Sequence, residues 1–335
     1  MNPFKKNGLI LPIASINSLY VDDTLAYDLF RPALILKEIV KYKEELGLTH
    51  IKDNSKLLFL FNNLLNSEIE CIKEKASEIA VLYGDYLAEV LGTLFRPSRV
   101  SIQKRKDWTR EHWNFWKTID TIYLVGGLTS PILTQIFYER VKIHFKNKNI
   151  TNKTITFIEG SSNLGTHGLS TLVETGDYLL FDFGQTTIKR ARHYKVDGKI
   201  VIDTILPTIS SDFLFYKSKN EAEVIEIANK LDEFIINNIM NTFRQVAFTG
   251  DRIYMSIANY IYEGNIYSSR GGYGKLAHIA SNYEEYLSKR VSEKARKEII
   301  IKIFHDTSAM ALMFKNEKNT AVISLGTAFG IAFPE

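Results

Sequence analysis

Alternating apolar and polar positions divide the chain into a series of predicted helices and strands. Apolar residues recur every three to four positions over 33–46 and 67–94, which predicts two amphipathic helices. Gly84 and Gly92 in or near the second one indicate close backbone packing. Further helices are predicted from Ser130-Pro131 and over 219–240, 282–295 and 308–314. Short apolar runs predict strands at 119–126, 154–158, 178–183, 188–196, 199–206, 245–249, 298–304 and 320–325. This alternation predicts an α/β fold.

Composition and charge narrow the class of protein. The 335 residues are enough for two lobes with separate cores, and 45% of them are hydrophobic. The net charge of +4 does not by itself indicate nucleic-acid binding. The single cysteine, Cys71, excludes a disulfide framework and a cysteine-rich zinc site. Because neither a signal-peptide core nor an apolar run of ~18 residues occurs, we expect a cytoplasmic protein with no nucleic-acid or membrane partner.

A predicted turn in the middle of the chain contains the residues that are most informative about function. The apolar run Tyr178 to Phe181 predicts a buried strand that leads to Asp182 and then to Gly184, Gln185, Thr186 and Thr187. A carboxylate at a strand end can bind Mg²⁺ directly or through water. Glycine lets the backbone approach an anion, and threonine hydroxyls donate to phosphate oxygens. The turn therefore predicts a nucleotide-phosphate site, although the same residues also fit a plain β-hairpin.

Three other strand ends carry short signals of the same kind. They are Gly126-Gly127-Leu128, His305-Asp306, and Gly326-Thr327 with Gly330. The first leaves room for a base or ribose against the backbone, and the third suits a second phosphate contact. The second places a carboxylate after an isoleucine-rich strand. Each has a structural alternative, since glycine serves any tight turn and aspartate is a common helix N-cap.

Together the four signals resemble the actin-like, hexokinase-like ATPase superfamily, and most of all its ROK sugar-kinase branch. The resemblance covers most of residues 67–335. It implies a two-lobed, ribonuclease H-like α/β fold that uses ATP and Mg²⁺. It implies that Asp182 anchors the metal ion and that Asp306 is catalytic. It implies nucleotide binding by Gly184, Gln185, Thr186, Thr187, Gly326, Thr327, Gly126, Gly127 and Leu128.

The order of these signals implies a circular permutation. The family runs first phosphate hairpin, catalytic aspartate, second phosphate hairpin, adenosine turn, whereas here the adenosine turn comes first. The family's last helix, here about 162–175, would then continue directly into the strand at 178. We expect an adenosine-binding lobe made of 1–176 and 318–335, and a lobe with the first hairpin and the aspartate made of 177–317. Residues 1–66 should supply the segment that follows the second hairpin in the family.

The resemblance also implies a reaction. Asp306 would accept the proton of a sugar hydroxyl as that hydroxyl attacks the γ-phosphate of ATP. The sugar, the expected partner, would contact His305, Asp306, Thr249, Gly250 and Arg270. Lys189 either adds positive charge near the phosphates or faces solvent. The family is often dimeric, which implies a homodimer.

Departures from the family pattern leave other functions open. His305 stands where the family has asparagine, Gln185 replaces a frequent glycine, and the cysteine-rich zinc motif is missing. One alternative is a nucleotide- or sugar-binding regulator without turnover, and another is an actin-like ATPase that acts on a protein partner. Trp108, Trp113 and Trp116 fit either a partner surface or a packed helix.

Overall fold

The computed structural model describes residues 2–128, 130–211, 220–268 and 271–334, with nothing said of the side chains of Ser55 and Ile202. Its α-helices are α1 (Ala26–Leu29), α2 (Pro32–Lys41), α3 (Leu57–Leu64), α4 (Glu70–Phe95), α5 (Arg99–Lys104), α6 (Arg110–Thr118), α7 (Pro131–Asn147), α8 (Leu164–Ser170), α9 (Glu221–Gln245), α10 (Tyr283–Ala295) and α11 (Asp306–Ala311). Its strands are β1 (Lys5–Lys6), β2 (Leu9–Ile10), β3 (Tyr20–Val21), β4 (Thr24–Leu25), β5 (Thr121–Val125), β6 (Thr154–Phe157), β7 (Gly176–Phe183), β8 (Thr187–Val196), β9 (Lys199–Ser210), β10 (Arg252–Ile257), β11 (Ile261–Tyr262), β12 (Asn265–Ile266), β13 (Ile300–His305), β14 (Thr320–Leu325) and β15 (Phe329–Ala332). The chain is a mixed α/β protein, as predicted.

The chain forms two compact units. Unit 1 comprises Met1–Pro3, Ile13–Ser162 and Lys318–Ile331, and unit 2 comprises Phe4–Pro12, Asn163–Glu317 and Ala332–Glu335. The predicted boundary at 176/177 is therefore corrected, because α8 and the turn after it belong to unit 2. Leu169 and Val173 share a buried cluster with Tyr178 and Leu180 of β7, so apolar burial holds this segment in unit 2.

The main sheet of unit 1 has the strand order β15-β14-β5-β6. Strands β14, β5 and β6 are parallel, with Ser324 paired to Val125 at their carboxyl ends. Only three residues join β14 to β15, and such a short connection makes an antiparallel hairpin, since a parallel connection needs a dozen residues or more. The loops after β5, β6 and β14 therefore leave the same edge of the sheet.

Helix α4 packs against α7 in unit 1 through its two glycines. A Cβ atom on Gly84 would lie 2.8 Å from Cγ of Arg140, and one on Gly92 would lie 2.5 Å from Nε2 of His144. Both distances are shorter than van der Waals contact. The predicted close packing at these glycines is confirmed.

The three tryptophans belong to the core of unit 1. Trp108, Trp113 and Trp116 are 4%, 5% and 0% exposed, and Nε1 of Trp108 donates a hydrogen bond to the carbonyl of Ile13 at 2.7 Å. Of the two alternatives for these residues, the packed helix is therefore the one observed.

The main sheet of unit 2 has the strand order β13-β10-β7-β8-β9. Strands β7, β8 and β9 are antiparallel neighbours, whereas β7, β10 and β13 are parallel. Phe183, Ile257 and His305 are paired across the three parallel strands. The carboxyl ends of these strands therefore lie side by side, where open α/β sheets commonly bind ligands.

The strand predicted at 245–249 is wrong. Gln245 is the last residue of α9, and Ala247 has a φ of 46°, which is not a strand conformation. Phe248, which follows a turn, is buried in the core. The apolar run at 245–249 therefore reflects burial and not a strand. The strand of this region, β10, begins at Arg252.

The two units share one strand arrangement. In each, a central strand (β7 or β14) pairs with its hairpin partner on one side and with two parallel strands on the other. In unit 2 the central strand comes before its parallel neighbours along the chain, whereas in unit 1 β5 and β6 come before β14. The same arrangement is therefore reached by two different chain orders.

Substitution of Gly168 by alanine is expected to destabilise unit 2. A Cβ atom there would overlap the carbonyl oxygen of Ala309 in α11, and backbone cannot move aside as a flexible side chain can. We expect a loss of about 2–4 kcal/mol in the free energy of unfolding, measured by urea denaturation. His167→Ala, at the exposed neighbouring position, is the control and should change stability by less than about 0.5 kcal/mol. Equal stability of the two variants would contradict the close contact.

Candidate functional site

Asp182 is a buried carboxylate held by two strands. Its side chain is 1% exposed, and its partners are the hydroxyl of Ser256 on β10 (2.8 Å to Oδ1) and Nζ of Lys189 on β8 (3.3 Å to Oδ2). The strand register pairs Asp182 with both residues. Lys189 is 17% exposed and faces the carboxylate, so its positive charge belongs to this site.

Helix α8 fits against Asp182 through a glycine. A Cβ atom on Gly165 would lie 2.8 Å from Cγ of Asp182 and 3.0 Å from its Oδ2. No side chain of any size fits between the helix and the carboxylate. The absence of a side chain at Gly165 is therefore a condition for the observed position of Asp182.

The turn between β7 and β8 is closed by its own hydrogen bonds. The N–H of Gly184 donates to the carbonyl of Thr187 at 3.1 Å, and the hydroxyl of Tyr273 donates to the carbonyl of Gly184 at 3.0 Å. Because this N–H already has an acceptor, nucleotide binding by Gly184, which stays a prediction, would not use it. Thr186 is exposed, and Gln185 and Thr187 are partly exposed.

Asp306 follows β13 at the same sheet edge as Asp182. The N–H and hydroxyl of Thr307 donate to its Oδ1 at 2.6 and 3.1 Å. Burial, and after it the negative charge of Asp182, raise the pKa of Asp306 to about 7, against the opposing effect of Thr307 and Lys189. Two nearby carboxylates do not both ionise easily, so Asp306 holds a proton more readily than an ordinary aspartate.

His305, the residue before Asp306, is a buried and neutral imidazole. It stacks on Tyr260 with ring centroids 4.6 Å apart and an interplanar angle of 10°. Burial lowers the pKa of His305 to about 3, since the charged form would lose its hydration. Nε2 lies 3.3 Å from Oδ1 of Asp306, and Nδ1 lies 3.2 Å from Oγ of Ser308.

Thr249 and Gly250 are not part of this site. They precede β10 at the opposite edge of the sheet, and their backbone N–H groups donate to the carboxylate of Asp177 at 3.2 and 3.3 Å. The prediction that they lie beside Asp306 is corrected, because it depended on the misplaced strand at 245–249. Arg270, the remaining predicted substrate contact, lies outside the described residues.

The predicted glycine turns of unit 1 come together at one sheet edge. Gly126 has a φ of 110°, and a Cβ atom there would lie 3.0 Å from the carbonyl oxygen of Leu325. Its N–H donates to Oγ of Ser161 at 2.8 Å. Gly127 and Gly326 have open space at the Cβ position, with no heavy atom nearer than 3.6 Å. The predicted contact Leu128 is buried, so its side chain is part of the core.

The carboxylates of unit 2 are suited to binding a magnesium ion that is also coordinated by the phosphates of a ligand. Among the described residues, no group of three or more His, Cys, Asp or Glu side chains could hold a metal ion. Mg²⁺ commonly takes one or two carboxylates, several waters and phosphate oxygens, and needs no complete protein cage. Asp182 is the carboxylate that the residues offer, with Lys189 as a competing cation.

Sequence reasoning missed two residues of the unit 2 site, Ser256 and Gly165, and had Tyr273 only as part of the loop 270–274, which fits either a sugar contact or a surface turn. It also left Lys189 undecided, although a signal for it was present. A hairpin whose turn is Gly184 to Thr187 pairs Asp182 with Lys189 across the strands. Ser256 had no comparable signal, because its strand was misplaced. Gly165 is 17 positions from Asp182 in sequence, and no local pattern links the two.

The raised pKa of Asp306 predicts how stability depends on pH. Between pH ~4 and ~7 the unfolded chain ionises at this residue while the folded one keeps its proton, so stability falls as pH rises. Asp306→Asn should remove a decline on the order of 2–4 kcal/mol from urea unfolding curves over this range. An identical pH dependence in the variant and the parent would contradict the shifted pKa.

Comparisons with known proteins identify no family for this chain. No family model matches it, and no curated protein matches it. Among solved structures, the crystal structure of an exopolyphosphatase-like protein matches with 12% identity and a TM-score of 0.28, over 72% of this chain and 82% of that one. Within the described residues, no helix has both the length and the apolar character needed to cross a bilayer.

Proposed function

We propose that the chain is an ATP-dependent phosphotransferase with the two-lobed, circularly permuted actin-like fold, and that its acceptor is a sugar hydroxyl. The observation that carries this proposal is the carboxylate pair Asp182 and Asp306 at the carboxyl ends of the parallel strands β7 and β13. One member is buried 3.3 Å from Nζ of Lys189, and the other has a pKa raised to about 7. A base with a pKa near the operating pH suits proton transfer from a hydroxyl.

The shared strand arrangement of the two units supports the permuted fold. If the chain were joined end to end and cut before β7, both units would present a hairpin first and their two parallel strands afterwards. The four motifs then fall in the order that the sugar-kinase resemblance requires. Such rejoining is feasible when the termini of a domain lie near each other.

In the proposed reaction each residue has one task. Asp182 would hold a Mg²⁺ ion, which when bound would neutralise charge at the phosphates, and Lys189 would add a positive charge. Asp306 takes the proton of the attacking hydroxyl. The glycine edge of unit 1, with Gly127 and Gly326 open to solvent, is proposed to bind the nucleoside and a second phosphate.

Asp306→Asn is expected to lower ATP turnover by 10²–10⁴-fold, because the variant cannot accept the proton. ADP release is measured with a panel of sugars, and the dissociation constant for ATP is measured alongside and should change little. Asp251→Asn, an exposed carboxylate at the opposite sheet edge, is the matched control and should keep full activity. If the Asp306 variant retains the parent rate, Asp306 is not the base.

The same assay separates the acceptor classes. ADP release that depends on one sugar supports the kinase proposal. Phosphate release without any sugar shows that water is the acceptor and supports the ATPase alternative. ATP binding without turnover in either arm supports the regulator without catalysis.

Gly165→Ala is expected to reduce turnover through the position of Asp182. The added methyl group would press on the carboxylate and disturb its hydrogen bond to Ser256. We expect a decrease in kcat of at least tenfold, since small displacements of a catalytic group cost rate steeply. Ser170→Ala in the last turn of the same helix serves as the control. Full activity of the Gly165 variant would show that the placement of Asp182 does not matter for the reaction.

A further inference from the structure

Strand β13 is the last strand on one side of the sheet of unit 2. The N–H of Ile300 donates to the carbonyl of Asp251, beside β10, at 2.8 Å. Alternate residues of a strand direct their N–H groups to opposite neighbours, so those of Ile299, Ile301 and Ile303 face away from the sheet. Among the described strands none pairs with β13 on that outer side. An edge of this kind is a template for pairing with another chain.

Helix α10 supplies an acceptor to each of these three N–H groups. The acceptors are Oγ of Ser292 for Ile299 (2.8 Å), Oγ of Ser288 for Ile301 (3.1 Å) and Oε2 of Glu284 for Ile303 (2.8 Å). Each serine hydroxyl also donates to the carbonyl four residues earlier in α10, which leaves its oxygen to accept from the strand. We call Glu284, Ser288 and Ser292 the α10 row. The row occupies the outer edge of β13 where a further strand would otherwise lie.

The spacing of the α10 row matches the spacing of the N–H groups. Members of the row are four residues apart, and four residues of an α-helix rise about 6 Å. The N–H groups are two residues apart, and two residues of a parallel strand rise about 6.6 Å. The helix runs opposite to the strand, since its first member, Glu284, binds the last N–H, that of Ile303. One helix face can therefore serve every outward N–H in turn.

The α10 row covers the edge without filling the space beside it. Leu287 and Val291 anchor α10 in the buried cluster to which β13 also belongs. An open cleft of about 370 Å³ between the helix and the strand is lined by residues 284–285, 288–289, 292 and 298–302. Because α10 is held by its apolar face, shorter side chains in the row should expose the N–H groups while the helix stays in place.

Residues 298–304 are suited to pairing with a second copy of themselves. They read Glu-Ile-Ile-Ile-Lys-Ile-Phe, with no proline, no glycine and no net charge, which is typical of self-pairing strands. An antiparallel pair centred on Ile300, which is 42% exposed, would place Glu298 opposite Lys302 of the second copy. The outward-facing positions on either side of Ile300 would then lie opposite each other, where antiparallel strands exchange both hydrogen bonds.

We propose that the α10 row keeps the β13 edge from pairing, antiparallel, with the same edge of a second copy of this chain. The row occupies the N–H groups that such pairing would use. Glu284 also holds Nζ of Lys302 at 2.7 Å, which is the charge that would meet Glu298 of the second copy. The edge is thus a strand-addition surface that the chain itself covers, and the partner that fits it is another copy. This inference does not depend on the proposed function.

The test is the mass of the full chain in solution, measured by light scattering after gel filtration over a range of concentrations. The triple variant Glu284→Ala, Ser288→Ala, Ser292→Ala removes the row. We expect its mass to rise with concentration to about twice that of the parent, because pairing across a two-fold axis uses the edge of each copy and then stops.

A matched control separates the row from the rest of the helix surface. Glu285, Lys289 and Glu293 form the neighbouring exposed row of α10, with the same four-residue spacing. Substitution of all three by alanine removes as many polar side chains but leaves the acceptors of β13 in place. This control should keep the parent mass at every concentration.

A rescue variant and amide hydrogen exchange locate the contact. Ile300→Lys, added to the triple variant, would place two like charges directly opposite each other in the antiparallel pair and should restore the parent mass. The N–H groups of Ile299 and Ile301 should exchange slowly in the associated triple variant. They should exchange fast once Ile300→Lys separates the copies.

Three outcomes would overturn the proposal. One is a triple variant that keeps the parent mass. The others are association that persists with Ile300→Lys and fast exchange at Ile299 and Ile301 in the associated form, since the copies would then meet elsewhere. Should the triple variant fail to fold by circular dichroism, Ser288→Ala alone decides the question. It frees the central N–H and should give a smaller, concentration-dependent rise in mass, and an unchanged mass would overturn the proposal.

Discussion

Burial of the Asp182 carboxylate is the constraint on which the site of unit 2 depends. A charged carboxylate inside a protein is costly unless donors and a counter-charge replace its hydration. Ser256 and Lys189 supply these from the strands on either side, and Gly165 leaves the space. The cost reappears at Asp306, which is buried near the same charge and therefore keeps its proton to a higher pH. One buried carboxylate thus contributes to the raised proton affinity of its neighbour.

Site residues could be predicted where a short run of adjacent residues defines them. They were harder to predict where tertiary packing brings distant residues together. Some features could be identified from the sequence because a few adjacent residues define each one. They are the strand and turn around Asp182, the turns at Gly126 and Gly326, and Asp306 at the end of its strand. The α/β class followed from the alternation of apolar patterns. The role of Ser256 could not be predicted, because the apolar residues near 248 have the pattern of a strand. That pattern placed the predicted strand before the true position of β10. The role of Gly165 could not be predicted either. Gly165 leaves space for Asp182, which lies 17 positions later in the chain.

The misplaced strand also explains why the expected acceptor contacts were wrong. Thr249 and Gly250 have the composition of a binding turn, but they serve Asp177, which also forms a bidentate ion pair with Arg192. That network stabilises the amino-terminal edge of the sheet. A parallel sheet has two chemically distinct edges, and residue types alone do not tell which edge a turn occupies. The register of the strands does.

Helix α8 has a consequence for the two carboxylates together. Gly165 and Gly168 are three residues apart, so they lie on the same face of the helix. One packs on Asp182, and the other packs on the backbone of α11, the helix that begins with Asp306. The two glycines therefore let α8 lie close to both the side chain of Asp182 and the helix that begins with Asp306. A side chain at either glycine would overlap one of these two elements, so the close approach of α8 to both depends on two positions without side chains.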